Sequence, residues 1–188
     1  VLRNRFGNEI DTFDPGDSGF PGLLFDWIEE LHQENRSLQN RLNQLVGRVA
    51  EDQLCVDMRT RQRFSLSVYF EGISDTTKLV VIDARTRFTI QRDDGKDFQF
   101  DVKVDSECGR TVLVEVKKTK AKTGTSIIKE LMHKVSVYGD LHPDRILLPA
   151  VLSLGGFTDK AVEFCRAKGI GMAERIPYIN KEWSSVRE

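Results

Sequence analysis

Apolar residues along this chain follow different periods in its first and second parts. Ile28, Leu31, Asn35, Leu38, Leu42, Leu45 and Val49 are spaced alternately by three and four residues, and Leu24 extends the series backwards. That spacing, flanked by Glu, Gln, Asn and Arg, predicts a coiled-coil helix over residues 23–49. Asn35 takes an a position, where a buried Asn is tolerated against a partner Asn and selects a parallel dimer in one register. The other reading of the stripe is an amphipathic helix packed on its own domain, with Asn35 exposed. Gly47 costs about 1 kcal/mol against Ala inside a helix. Around it the pattern shifts: Val46, Val49, Ala50 and Leu54 share a face suited to a sheet, so the coil is expected to run into the first core helix.

Strand signals follow. Residues 64–70, 78–83, 87–92, 98–104 and 111–118 read as strands, with a turn at Asp93-Asp94-Gly95. Helical spacing returns at Ile127, Ile128, Leu131, Met132 and Val135. Residues 145–154 form a nearly continuous apolar run, as a strand covered on both faces does. Thr158 caps a helix that Gly169 closes, and residues 169–176 read as a last strand. The order predicts an α/β sandwich with a central mixed sheet over residues 46–188, behind the coiled-coil helix and a flexible segment, 1–22.

Composition narrows the function classes. Charged residues make up 30% and the net charge is −1, so a nucleic-acid partner has to be argued from local basic clusters rather than from the whole. Three widely separated cysteines, with no CxxC pair, argue against a disulfide framework or a zinc site and for a reducing, cytoplasmic setting. The longest apolar run, residues 146–152, is far short of the roughly 18 residues a membrane span needs.

The chemistry concentrates on two neighbouring strands. By a period of two, Phe98, Phe100, Val102 and Val104 point one way and Gln99, Asp101 and Lys103 the other; Glu115 and Lys117 share a face opposite Val112, Val114 and Val116. A short connection predicts an antiparallel hairpin, in either of two registers. With the turn centred on Cys108, Asp101 faces Glu115, a like-charge pair that a hard divalent cation would relieve. With the turn centred on Gly109, Asp101 faces Lys117 and Lys103 faces Glu115, which are ordinary cross-strand ion pairs.

Asp101 followed by Glu115-Val116-Lys117 at the end of an apolar strand resembles the motif of the PD-(D/E)XK, restriction-endonuclease-like nucleases, although Phe100 stands where that motif has Pro. Gly47-Arg48-Val49-Ala50-Glu51 resembles the Gly-x-x-x-Glu stretch many of them carry on the first core helix. The run from Leu148 to Phe157, then a helix and Gly169-Ile170-Gly171, resembles their closing strand–helix–strand. The match covers residues 46–176. It implies a fold of that kind and hydrolysis of a phosphodiester, in DNA, by a water activated on Mg²⁺ or Mn²⁺. It further implies that Asp101, Glu115 and the Val116 carbonyl hold the metal, with Glu51 as a further direct or water-mediated ligand or an exposed helix acid. Lys117 is implied to orient the water or stabilise the pentacoordinate phosphate. Lys118, Lys120 and Lys122 follow as a basic loop that would contact backbone phosphates or simply be solvated; Arg59, Arg61 and Arg63 form a second such cluster. Two competing functions remain: a nuclease-fold module that dimerises and binds nucleic acid or a protein without cutting, and a coiled-coil protein whose globular half only positions it.

Overall fold

A computed structural model describes residues 20–91, 95 and 97–176, with residues 20–24, 43, 46 and 47 described as backbone only. Most of the expected N-terminal segment, the Asp93-Asp94 turn and the side chains of Leu24 and Val46 fall outside these. The chain divides into two compact units, Val1–Leu42 and Asn43–Glu188.

The elements in order are helix α1 (Phe20–Arg61), strands β1 (Arg63–Ser65), β2 (Lys78–Ile90), β3 (Phe98–Ser106) and β4 (Arg110–Lys117), helix α2 (Thr125–Leu141), strand β5 (Ile146–Ser153), helix α3 (Asp159–Lys168) and strand β6 (Gly171–Ala173). The predicted succession of element types is present, with two local differences. The apolar 64–70 segment is a strand for only three residues and then tightens into a 3-10 turn, Leu66–Val68, which buries Leu66. The two strands predicted on either side of residue 85 are one long strand, β2.

Among the described residues the sheet runs β1-β2-β3-β4-β5-β6, antiparallel as far as β4 and parallel from β4 to β6. The parallel half follows from the chain: α2 and α3 are the crossovers that parallel strands require. The outer edge of β6 is covered by Glu71, which exchanges two 2.8 Å backbone hydrogen bonds with Met172. A covered edge offers no template for a foreign strand. Thr158 accepts a hydrogen bond from the Ala161 backbone N–H, and Gly169 closes α3 in the left-handed conformation (φ 65°), as its sequence position predicts.

Two apolar clusters cover the sheet's faces. Ala50, Leu54 and Met58 of α1 pack with Val102, Val104, Val112, Val114 and Val116. Ile128, Leu131, Val135 and Tyr138 of α2 pack with Phe100, Leu113 and Val151. Cys165 is buried with this second group, and burial pushes its thiol up to about 11. Of the face predicted for α1, Ala50 and Leu54 are buried but Val49 is 60% exposed. No helix among the described residues is long and apolar enough to cross a membrane.

Candidate functional site

β3 and β4 pair antiparallel as Val102↔Val114, Lys103↔Leu113, Val104↔Val112 and Asp105↔Thr111. This is the register centred on Cys108; its next step places Asp101 opposite Glu115. The tight turn runs through Gly109 at φ 73°, and the Gly109 N–H donates to the Ser106 carbonyl at 3.2 Å. The alternative register, with Asp101 facing Lys117, is absent.

The predicted division of faces fails at one point. Val102 and Val104 belong to the α1 cluster, whereas Phe100 belongs to the α2 cluster and Phe98 lies edge-on to His133 of α2. The same change of face occurs on β2 between Ala84 and Phe88. Between them stands Arg87 at φ 53°, in the left-handed region that non-glycine residues rarely occupy. The β2–β3 ladder passes from Thr86↔Val102 to Phe88↔Phe100 and omits Arg87 and Asp101. A left-handed residue breaks the two-residue alternation, so strict parity mis-assigns everything beyond it.

At this kink β3 leaves β4, and β4 continues through Glu115–Lys117 paired only with β5. Asp101 occupies the fork. Its Oδ2 accepts the Val116 backbone N–H at 2.6 Å, the hydrogen bond a continuing β3 strand would otherwise take. Burial first, then the charge of Glu115, raises the Asp101 pKa; the Val116 N–H and two lysines oppose the rise. Glu51, on α1, is also raised, by burial and then by Asp101. Its Oε2 is buried and has no hydrogen-bond partner among the described residues; Arg87 Nε stands 3.5 Å off, an ion pair without a hydrogen bond. The exposed-acid alternative for Glu51 is therefore excluded, since the residue is only 9% exposed.

Glu115 is held differently. Lys117 Nζ lies 2.7 Å from one carboxylate oxygen and Lys134 Nζ 3.1 Å from the other. Burial disfavours the charge on Lys117, but the hydrogen bond and charge of Glu115, then Asp101, outweigh it and raise the Lys117 pKa. Lys134 also donates to the Gln99 carbonyl at 3.3 Å and is a residue the motif reading missed. Its signal was available: it lies on the buried Leu131–Val135–Tyr138 stripe of α2, where a lysine has no reason to be unless it reaches a partner.

The loop after β4 brings Lys118, Lys120 and Lys122 beside the site, half-buried at Lys118 and exposed at the other two. It is seated on Gly155: a Cβ there would come within 2.4 Å of the Thr119 carbonyl oxygen and 2.6 Å of that of Ala121. Thr123 anchors the loop's end, donating its N–H to the Gly156 carbonyl at 2.8 Å and sharing a 2.7 Å hydroxyl contact with Ser153. The second basic cluster is put to structural use. Arg59 donates to the Ala84 carbonyl, and Arg61 pairs with Asp57 at 3.3 Å beside the Tyr69 ring.

The Asp101, Glu115 and Glu51 carboxylates and the Val116 carbonyl are hard oxygens of the kind that Mg²⁺ or Mn²⁺ takes. Among the described residues, however, no three acidic, His or Cys side chains are gathered closely enough to hold a metal ion. A cavity of about 710 Å³ lies elsewhere, between the Ser67–Glu71 segment, α3 and β6, and none of the residues above line it.

No family model matches this chain, and no curated protein does either. Two solved structures are similar to part of it. The protein of unknown function AF1548 is 20% identical over 48% of this chain and 47% of that one, with a TM-score of 0.37. A repair endonuclease from Pyrococcus abyssi is 14% identical over 50% of this chain and 40% of its own length, with a TM-score of 0.36. The chain spans less than half the length of either, and at these TM-scores neither likeness bears on function.

Proposed function

We propose that this protein is a divalent-metal-dependent nuclease that hydrolyses phosphodiester bonds, in DNA. The observation that carries the reading is the fork between β3 and β4. There Asp101 accepts the Val116 N–H beside Glu115, two lysines reach Glu115, and Glu51 adds a buried oxygen that no hydrogen bond satisfies. Carboxylates crowded in this way are costly to the fold and are accounted for when they hold a cation. When bound by Asp101, Glu115 and the Val116 carbonyl, Mg²⁺ or Mn²⁺ lowers the pKa of a coordinated water and offsets charge on the phosphate.

The chain's own side chains supply the rest. Asp101 is fixed by the Val116 N–H, so its second oxygen keeps one orientation. Lys117, with its side chain 30% exposed, donates one N–H to Glu115 and has two left with which it can hold the attacking water or a non-bridging phosphate oxygen. Lys134 holds Glu115 from the α2 side. Lys118, half-buried, and the exposed Lys120 and Lys122 on the following loop supply further positive charge for backbone phosphates.

One feature favours a second reading. Lys117 and Lys134 already neutralise Glu115 without any cation, as a silent nuclease-fold module that binds nucleic acid or a protein partner would. A cleavage panel of supercoiled plasmid and of duplex, branched and single-stranded oligonucleotides, in Mg²⁺ or Mn²⁺ beside EDTA, decides between them. Metal-dependent nicking that disappears in Asp101→Ala and Lys117→Ala is expected. Binding without cleavage of any substrate would favour the silent module.

A further inference from the structure

α1 carries two apolar faces. In the second unit Ala50, Leu54 and Met58 are buried against the sheet, whereas Val49 and Val56 are 60% and 58% exposed. At 100° per residue Val49 and Val56 lie within about 20° of one another, and Met58 lies about 180° from Val49. The apolar stripe through Val49 is therefore turned away from the domain that the same helix supports. It is the continuation of the heptad series: Leu45 is 58% exposed at the preceding d position. In the first unit Leu31, Leu38 and Leu42 are each more than half exposed, and Ile28 is 40% exposed. Single exposed apolar side chains need no explanation, but a continuous stripe repeating every 3.5 residues is what a folded monomer avoids.

We infer that a second copy of this chain covers the stripe, in a parallel, in-register two-stranded coil centred on Asn35. Residue types choose this occupant. Isoleucine and valine stand at the a positions 28 and 49, with leucine at the a position 42 and at the d positions 31, 38 and 45; β-branched a residues over leucine d residues favour two parallel strands. Asn35 breaks the apolar series once, at an a position, where only the in-register parallel arrangement lets it hydrogen-bond its own copy. An antiparallel or staggered pair would place that amide against leucine and leave it unsatisfied. Asp52 at the next d position is held by Arg87 at 3.3 Å and marks where the tight seam ends.

The test uses the full chain. Light scattering across a hundredfold concentration range is expected to give twice the chain mass, and Leu38→Asp with Leu45→Asp is expected to give the chain mass. Asn35→Cys in a Cys108→Ser background reports register: mild oxidation is expected to give a disulfide-linked dimer on a non-reducing gel. A monomeric wild type, a larger oligomer, or a dimer that survives the two aspartates would each overturn the inference. So would a dimer in which residue 35 does not cross-link, since an antiparallel pair holds those positions apart. None of these readouts involves cleavage, so the inference stands or falls apart from the nuclease reading.

Discussion

Asp101 and Glu115 carry the same charge at neighbouring places of the fork, but their surroundings give them opposite effects on stability. Asp101 is buried beside Glu115 and Glu51, and its pKa is raised, so its ionised form opposes folding at neutral pH. Asp101→Asn keeps an acceptor for the Val116 N–H and removes one like charge. In metal-free buffer it is expected to raise the melting temperature by about 2–4 °C, the shift that roughly 1 kcal/mol gives in a domain of this size. Glu115 instead satisfies two ammonium groups, one of them with its side chain only 14% exposed. Glu115→Gln is expected to cost about 1–3 kcal/mol, because both partners lose their counter-charge. Loss of a carboxylate is expected to relieve the fold only where that carboxylate lacks a close cationic partner. Thermal melts of both variants with and without Mn²⁺ check this; equal shifts of the same sign would contradict it. The pair was legible as residues and spacing; Lys134 was legible only as a lysine on a buried stripe, without its partner, and Arg87 not at all, because both reach the site from other elements.

The loop between β4 and α2 gives the basic cluster a fixed place. Lys118, Lys120 and Lys122 read in the sequence as either a phosphate-binding loop or solvated charge. Gly155 limits the freedom of that segment, since the loop backbone passes where a Cβ would stand. Gly155→Ala must push the loop away and is expected to cost about 1–3 kcal/mol by overpacking. If the lysines contact phosphates, DNA affinity should fall with it. The slope of log K against log salt should then shrink, by up to about 0.9 for each lysine withdrawn. Filter binding at four salt concentrations measures both quantities. A variant with lowered melting temperature but unchanged affinity and slope would assign the lysines to solvent. Ser153, Gly155 and Gly156 had no role in the sequence reading, for the physical reason that a glycine's importance here lies in what another segment puts beside it.

At the scale of the molecule, Asp75 and Arg110 join the segment before β2 to the start of β4, with Nε to Oδ2 at 2.7 Å. Hydrogen bonds from the Thr77 side chain, then Arg110, lower the Asp75 pKa to about 2. A folded-state pKa below the unfolded one stabilises the fold above the unfolded value and loses that stabilisation as pH falls towards the folded value. Asp75→Asn should therefore lower the melting temperature by an amount that is constant above about pH 5, shrinks as pH falls through the folded value and vanishes by about pH 1. Both groups lie near the surface, where solvent screening keeps the effect small. Melts of the two proteins from about pH 1 to 7 follow it; a difference of undiminished size at about pH 1 would place the contribution in packing rather than charge.

Local chemistry determined much of this protein. The heptad spacing of α1, the Thr158 and Gly169 caps of α3, the apolar run of β5 and the Asp101 and Glu115-Val116-Lys117 strands are short-range signals: each depends on residues within a turn or a strand of one another. The tertiary structure decided what depends on contacts between distant segments. The Cys108-centred register is one such decision, since it sets Asp101 against Glu115 rather than Lys117. The left-handed Arg87, which turns Phe100 to the other face of the sheet, is another. Burial of Glu51 and Lys134 at the fork required α1 and α2 to close over opposite sides of one sheet. Val49 makes the contrast plain. Its heptad position was readable from its neighbours, but whether it faced the core or solvent was not. That depended on which side of α1 the sheet would occupy, a choice made by Ala50, Leu54 and Met58 together with valines fifty and more residues away.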